Sequence, residues 1–320
     1  MFTNRKKAII FQNLYVLFQV GYLATMKHAL NTLKVNPLDQ VIWRNIFSSV
    51  SGLAVGLATS QSFSVQPNMR CMLLTRSLLG VFGNTVMTFA IALVPLIYQQ
   101  TIGATVPFWA AILGFCMIGE TIGTCTKYAM VISFAFVVLI AFSPYILGDG
   151  EVSVSGTELA YGIESQGFAN LLGSLLILIN AICNGAVSVA TRLMQKMNWS
   201  VILFYYSVVA LVTVTIVYLA TAGEFSRIYS YNAEQYKYIV ITSCLNVVSL
   251  SCRTISNQNE KSGIISMIGY IGIVYACLFD FFVFDESMNW LEWLGVAGIL
   301  TTTITLTAHL IAKNDKSMSD

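Results

Sequence analysis

Ten apolar stretches of about 20 residues each follow one another along this chain of 320 residues. A helix needs about 20 mostly apolar residues to cross the hydrocarbon core of a bilayer. The connectors between the stretches are too short for a separate soluble domain. The sequence therefore predicts an all-α membrane protein with ten transmembrane helices, at residues 8–28, 41–60, 71–92, 96–118, 128–147, 168–190, 200–222, 237–257, 262–284 and 290–311.

The composition excludes several other classes of protein. Apolar residues make up 56% of the chain and charged residues only 10%, whereas soluble domains average about 25% charged residues. Disorder requires low hydrophobicity and high charge, and the net charge of +2 offers nucleic acid no basic stripe. Seven cysteines, an odd number, lie within apolar runs, which predicts small core residues and no disulfide framework.

The distribution of Lys and Arg predicts the orientation in the membrane. If the N-terminus is cytoplasmic, 12 of the 17 Lys and Arg residues lie at cytoplasmic helix ends, as the positive-inside rule requires. An even number of helices then places both termini in the cytoplasm. The plasma membrane, the Golgi and the endoplasmic reticulum all remain open as locations.

The two halves of the chain align without gaps at an offset of 166 residues. Ile102 then pairs with Ile268, and Glu120 with Glu286. Five helices in each half would invert the second half relative to the first, which is the arrangement of many alternating-access transporters. The predicted organisation is a first repeat, a non-cytoplasmic loop, a second repeat and a cytoplasmic tail, at residues 1–147, 148–167, 168–311 and 312–320.

Short motifs in both halves support this division. Phe89–Leu96, followed by Pro107 and Gly119-Glu120, resembles the EamA repeat of the drug/metabolite transporter superfamily. The segments Ser266–Tyr270 and Trp290–Gly295 are similar to the second copy of that repeat.

The resemblance spans nearly the whole chain. Arg76, at the start of the third predicted helix, resembles the arginine of an Arg-Gly pair in the solute carrier 35 G-like branch. The resemblance implies an inverted five-plus-five EamA repeat with a central cavity and with helices 5 and 10 at the periphery. Substrates across the family include nucleotide sugars, amino acids, triose phosphates and amphiphilic drugs, so the resemblance does not specify the solute.

Polar side chains within the predicted helices indicate where the cavity lies. A charge at the bilayer centre costs about 2.5–3.5 kcal/mol on insertion scales, so such groups usually face a cavity or a partner. Many of them recur at three- or four-residue spacing and therefore share a helix face, as do Gln12, Tyr15, Gln19 and Tyr22 on the first helix. The candidate substrate-cavity residues are Arg76, Asn84, Gln99, Gln100, Asn180, Asn184, Asn246, Arg253, Tyr270 and Asp280.

Each candidate also has a structural interpretation. Amide and hydroxyl stripes often only join helices, and Arg76 could extend towards the headgroups. Asp280 could pair with a basic residue or take up a proton. Glu120 and Glu286, the candidate helix-end or gating residues, could simply cap short loops.

The sequence predicts a secondary transporter that moves a small polar metabolite, such as a nucleotide sugar or an amino acid, by alternating access. The polar cavity suits a neutral or anionic solute. No catalytic or metal-binding motif occurs, so we expect no enzyme activity, cofactor or metal. The expected partners are the solute and the lipid bilayer, with a second copy of the chain as a further candidate, but no nucleic acid. A non-transporting scaffold or receptor, a permeation pore and a membrane enzyme are the alternatives.

Overall fold

The secondary structure of the described residues is helical. The computed structural model describes residues 2–93, 102–121, 123–147, 166–221, 230–283 and 289–319. Over these residues the helices are α1 Phe2–Asn31, α2 Pro37–Ala58, α3 Pro67–Leu93, α4 Val106–Ile118, α5 Thr124–Leu147, α6 Gln166–Leu193, α7 Trp199–Thr221, α8 Ala233–Asn259, α9 Ser262–Ile268, α10 Ile271–Val283 and α11 Trp290–Ser319.

One predicted helix is broken in the structure. The apolar stretch 262–284 was expected to form one span, but a turn at Gly269-Tyr270 divides it into α9 and α10. The amide of Tyr270 donates to Met267 O at 3.1 Å and that of Gly272 to Gly269 O at 2.9 Å. These bonds span three residues instead of four, which tightens the backbone into a 3₁₀-type turn.

A matching turn precedes α4 in the first half of the chain. Residues 102–103 are helical, residues 104–105 form a turn, and α4 begins directly afterwards. The amide of Thr105 donates to Ile102 O at 3.0 Å, again across three residues. Pro107, in the first turn of α4, lacks an amide hydrogen and favours a helix start. The fourth predicted helix of each half is therefore interrupted at nearly the same place.

Helix boundaries follow the offset of 166 residues predicted from the sequence. Helices α3 and α8 both have 27 residues, and their first residues, 67 and 233, differ by this offset. The first residues of α5 and α11, 124 and 290, differ by the same number. The second half thus repeats the framework of the first half in this region.

Helix packing is also nearly symmetric between the halves. Helix α1 packs along α8, and its counterpart α6 packs along α3. Helices α2 and α7, which are counterparts, pack against each other. The counterpart helices α5 and α11 pack mainly against each other, so these two helices lie at the edge of the bundle.

The distribution of side chains is that of a protein surrounded by lipid. Leu57, Phe115 and Ile216 are each more than 60% exposed, whereas Thr242 and Ser243 are fully buried. Large exposed apolar surfaces mark contact with another molecule or with a membrane. Helices α1, α2, α6, α7 and α8 are long and apolar enough to cross a bilayer, and four shorter apolar helical segments lie within 106–118, 124–140, 262–278 and 290–306.

The cysteines do not all occupy the core that the sequence suggested. All seven are free thiols. Three are buried, but Cys71, Cys116, Cys125 and Cys244 are exposed. Their apolar sequence neighbourhood placed them in helices correctly, but it could not separate the face that meets lipid from the face that meets protein.

Helices α2 and α7 approach each other closely at Gly52. A Cβ atom at this position would lie 2.9 Å from the backbone nitrogen of Phe204, which cannot move aside without shifting α7. We therefore expect Gly52→Ala to lower stability by about 1–3 kcal/mol through overpacking, measured as the midpoint of thermal unfolding in detergent.

Gly21→Ala is the matched control, because the nearest atom to its Cβ would be 3.9 Å away. Here the better helix propensity of alanine should leave the midpoint unchanged or raise it, by up to about 1 kcal/mol. Equal midpoints for the two variants would contradict the close contact of α2 with α7.

Candidate functional site: a polar cavity between the two halves

A cavity with a volume of about 180 Å³ lies between the two halves of the bundle. Its wall is built by helices α1, α3 and α4 of the first half and by α6, α8, α9 and α10 of the second half. The structure brings six of the predicted site residues together on this wall, namely Asn84, Asn180, Asn184, Asn246, Arg253 and Tyr270.

Arg253 on α8 is fixed by neutral partners on α6. Its Nη1 donates to Asn184 Oδ1 at 2.8 Å, and its Nη2 donates to Asn184 O at 3.2 Å and to Ser188 Oγ at 3.5 Å. The guanidinium carbon lies 5.6 Å from the centre of the Tyr15 ring, a favourable cation–π contact. These contacts fix the orientation of the guanidinium and, among the described residues, give it only neutral oxygen partners.

Helix α6 presents an amide ladder at the same place. Asn184 donates from Nδ2 to Asn180 Oδ1 at 2.9 Å, and Ser188 donates to Asn184 O at 2.9 Å. The four-residue spacing seen in the sequence places these side chains on one face of α6, as predicted. A stripe that joins α6 to α8 thus also lines the cavity.

Arg76 lies behind the wall and is not among the described lining residues. It is 5% exposed, its Nε donates to Thr191 Oγ1 at 3.3 Å, and its guanidinium carbon lies 5.0 Å from the Tyr206 ring centre. The Nη1 atom has no hydrogen-bond partner in the described part of the chain. Tyr206 accepts a hydrogen bond from Asn84 Nδ2 at 2.6 Å, so Arg76 contacts the wall through Tyr206.

Three buried polar side chains of the wall come from α1, from α8 and from the turn between α9 and α10. Gln12, Asn257 and Tyr270 all line the cavity and are all at least 97% buried. Among the described residues, Gln12 Oε1, Asn257 Oδ1 and Tyr270 Oη have no hydrogen-bond partner. An unpaired buried polar group costs about 1–3 kcal/mol, so this part of the wall is suited to a polar ligand.

Tyr22, also on the wall, is held by a buried arginine that the sequence analysis did not single out. Arg44 on α2 is 3% exposed and donates from Nη1 to Tyr22 Oη. The signal for Arg44 in the sequence was weak, because it lies near the start of a predicted helix and looked like an interfacial charge. Asn257 was also missed, although it follows Arg253 by one helical turn.

Polar contacts join the two halves at both ends of the bundle. At one end, Arg192 donates from Nε to Glu120 Oε1 of the first half at 3.3 Å, and from Nη1 to Gln258 O of its own half at 2.7 Å. At the other end, Gln235 Nε2 donates to Leu33 O at 2.8 Å. Glu120 therefore does more than cap its own loop, since it forms an ion pair with the other half.

Several predicted site residues cannot be placed. Gln99, Gln100 and Glu286 lie outside the described residues. Asp280 belongs to α10, but its side chain also lies outside the described part. Their assignment to the cavity or to a helix end remains a prediction.

The helical bundle, its exposed apolar surface and its polar cavity define a membrane protein of the multi-pass class. The chain belongs to the EamA-like transporter family, whose sequence model matches residues 6–142 and again residues 171–308. The two matches correspond to the two halves of the bundle.

Relatives with assigned names are similar over most of the chain. The probable transport protein YPL264C of Saccharomyces cerevisiae is 23% identical over 276 residues, which cover 78% of this chain and 74% of the yeast protein. Solute carrier family 35 member G1 of Mus musculus is 24% identical over 238 residues, which cover 73% of this chain and 61% of the mouse protein. The human member G1 is 21% identical over 289 residues, covering 90% of this chain and 75% of that protein.

A solved crystal structure shares the fold. It matches with a TM-score of 0.73 at 15% sequence identity, over 97% of this chain and 99% of the other. At this identity the match shows the arrangement of helices and nothing about the solute.

Two substitutions of Tyr206 separate the stability contributed by its ring contact with Arg76 from that contributed by its hydrogen bond with Asn84. Tyr206→Phe removes the acceptor for Asn84 and keeps the ring, so we expect a loss of about 0.5–1.5 kcal/mol in stability. Tyr206→Leu also removes the ring under Arg76 and should cost about 1–2 kcal/mol more. Thermal unfolding in detergent measures both losses, and equal losses would show that the ring does not support Arg76.

Proposed function

We propose that this protein is a secondary transporter that moves a small polar metabolite across a membrane by alternating access. The observation that carries the proposal is the polar cavity between two structurally similar halves, with a broken helix of each half in its wall. In many transporters the substrate lies at such an interface, between interrupted helices.

The repeat supports an inverted arrangement with ten spans. If each half contains five membrane-crossing helices, α3 and α8 run in opposite directions although their boundaries share the offset of 166 residues. The charge distribution along the chain supports a cytoplasmic location for both termini. An inverted pair of halves can exchange roles, which is the basis of alternating access.

The cavity volume favours a small solute. Drug-sized ligands occupy pockets of about 300–1,000 Å³, whereas this cavity measures about 180 Å³. Of the two solute classes expected from the sequence, an amino-acid-sized metabolite therefore fits better than a nucleotide sugar.

The contacts between the halves support a gating role at the two ends. In the proposed orientation, the contact of Arg192 with Glu120 closes the cytoplasmic end, and that of Gln235 with Leu33 closes the opposite end. Alternating access requires the contacts at one end to break while those at the other end persist. Glu120 and Arg192 are then gating residues, and neither binds the solute.

Solute counterflow is the direct test of transport. Proteoliposomes loaded with one unlabelled solute are given the same solute in labelled form, for a panel of amino acids, carboxylates, sugar phosphates and nucleotide sugars. We expect saturable accumulation of at least one small solute, above that in liposomes without protein. Accumulation that does not saturate would indicate a pore, and the absence of accumulation for the whole panel would contradict transport.

The ion pair of Glu120 with Arg192 predicts the behaviour of the cytoplasmic gate. Its side chains are only 16% and 21% exposed, and a pair of this kind contributes about 1 kcal/mol. Glu120→Gln should therefore shift the gate about fivefold towards its open state. The readout is the rate at which a membrane-impermeant thiol reagent, applied from the cytoplasmic side, modifies Ser266→Cys in a protein without other cysteines.

Two further variants make this test specific. Exchanging the charges with Glu120→Arg and Arg192→Glu together should restore the slow rate of modification. Lys196→Gln, which removes an exposed charge close to Arg192, should leave that rate unchanged. The gating role is wrong if Lys196→Gln and Glu120→Gln have the same effect, or if Glu120→Gln has none.

A further inference from the structure

We propose that the solute bound by this cavity is an anion and that its negatively charged group binds at Arg253. The inference rests on the proposed transport function, because it names the chemical class of the solute for the same cavity. Four properties of the described residues support it, which are the charge of the wall, the partners of Arg253, the position of Arg76 and the unpaired polar groups of the wall.

The charge of the wall is the first argument. The described lining residues include no Asp, Glu or Lys, and Arg253 is the one charged side chain among them. Within a bundle surrounded by lipid the effective dielectric constant is low, so one charge acts strongly across the cavity. An anion gains energy there, and a cation loses it.

The partners of Arg253 are the second argument. Asn184 and Ser188 offer it only neutral oxygens, and no carboxylate of the described residues forms an ion pair with it within 4 Å. A charge in this position is costly unless a counter-charge is present. Its Nε has no hydrogen-bond partner in the described part of the chain, so the guanidinium keeps a donor for an anionic ligand. Arginine binds carboxylates and phosphates with pairs of such donors.

Arg76 strengthens the positive field. Its guanidinium carbon lies 5.0 Å from the ring centre of Tyr206, whose hydroxyl accepts a hydrogen bond from Asn84 on the cavity wall. Its one described oxygen partner, Thr191, is neutral. At a low effective dielectric constant, a buried positive charge just behind the wall also attracts an anion in the cavity. Arg76 thus favours the same class of solute without touching it.

Unpaired polar groups on the wall indicate that the anion also carries hydroxyl or amino groups. Gln12, Asn257 and Tyr270 present buried groups without partners among the described residues. Hydroxyl or amino groups of a solute would satisfy them, whereas an alkyl chain would not. The favoured solutes are therefore small hydroxylated or aminated carboxylates and phosphate monoesters.

The electrostatic part of the inference can be tested without knowing the solute. Ser266 lines the cavity, and Ser266→Cys in a protein without other cysteines places a thiol there. Three methanethiosulfonate reagents are compared, with a negatively charged, a positively charged and an uncharged head group, and each rate is divided by the rate with a free thiol. We expect the anionic reagent to react at least about tenfold faster than the cationic one.

Two variants remove the net positive charge of the wall by different routes. Arg253→Gln deletes the cation, and Asn184→Asp places a carboxylate beside it, so both should bring the two corrected rates to within about twofold of each other. If one variant fails to fold, the other still gives the answer. Arg70→Gln, at an exposed arginine, should keep the preference because surface charges are screened by salt.

Three results would overturn the inference, namely equal corrected rates in the parent protein, a faster cationic reagent, or a preference that persists in both variants. Counterflow with malate, glycerol and choline then separates this failure from a failure of transport. Uptake of glycerol or choline but not malate would retain the transport function and reject the anion. A preference for the anionic reagent without counterflow of any solute in the panel would reject transport and retain the anion site.

Discussion

A chain surrounded by lipid has to satisfy its polar groups within itself, because hydrocarbon offers them no hydrogen bonds. The main features of this structure follow from that constraint. Leu57, Phe115 and Ile216 face outwards, whereas the amides of α6 and the guanidinium of Arg253 meet inside the bundle. On the cavity wall this internal satisfaction is incomplete, because Gln12, Asn257 and Tyr270 each carry an oxygen without a partner among the described residues. A polar ligand in the cavity would satisfy these groups.

The sequence predicted the framework and much of the cavity wall. Apolar length and the offset of 166 residues located the helices, and α3 and α8 start and end in the predicted register. Four-residue spacing placed Asn180 and Asn184 on one face. Such patterns report which residues share a helix face. They do not report which neighbouring helix that face meets, so the pairing of Arg253 with Asn184 required the structure.

The features that escaped prediction depend on contacts between elements distant in sequence. The division of the stretch 262–284 at Gly269 is invisible to hydropathy, because both parts are apolar. Arg44 resembled an interfacial charge until its contact with Tyr22 was seen. Glu120 was recognised as a helix-end residue, but its partner Arg192 lies 72 residues away. In each case the local sequence was compatible with two environments, and packing selected one.

The equal lengths and matching boundaries of α3 and α8 have a further consequence for the proposed transport cycle. At the offset of 166 residues the counterpart of Arg253 is Met87, and both line the cavity. Likewise Asn84 corresponds to Leu250, and both of these also lie on the wall. The halves thus match in shape but differ in chemistry. A bound anion would keep one orientation towards the protein whichever side it entered from. Its entry and its exit would therefore pass different side chains, and its affinities at the two membrane faces need not be equal.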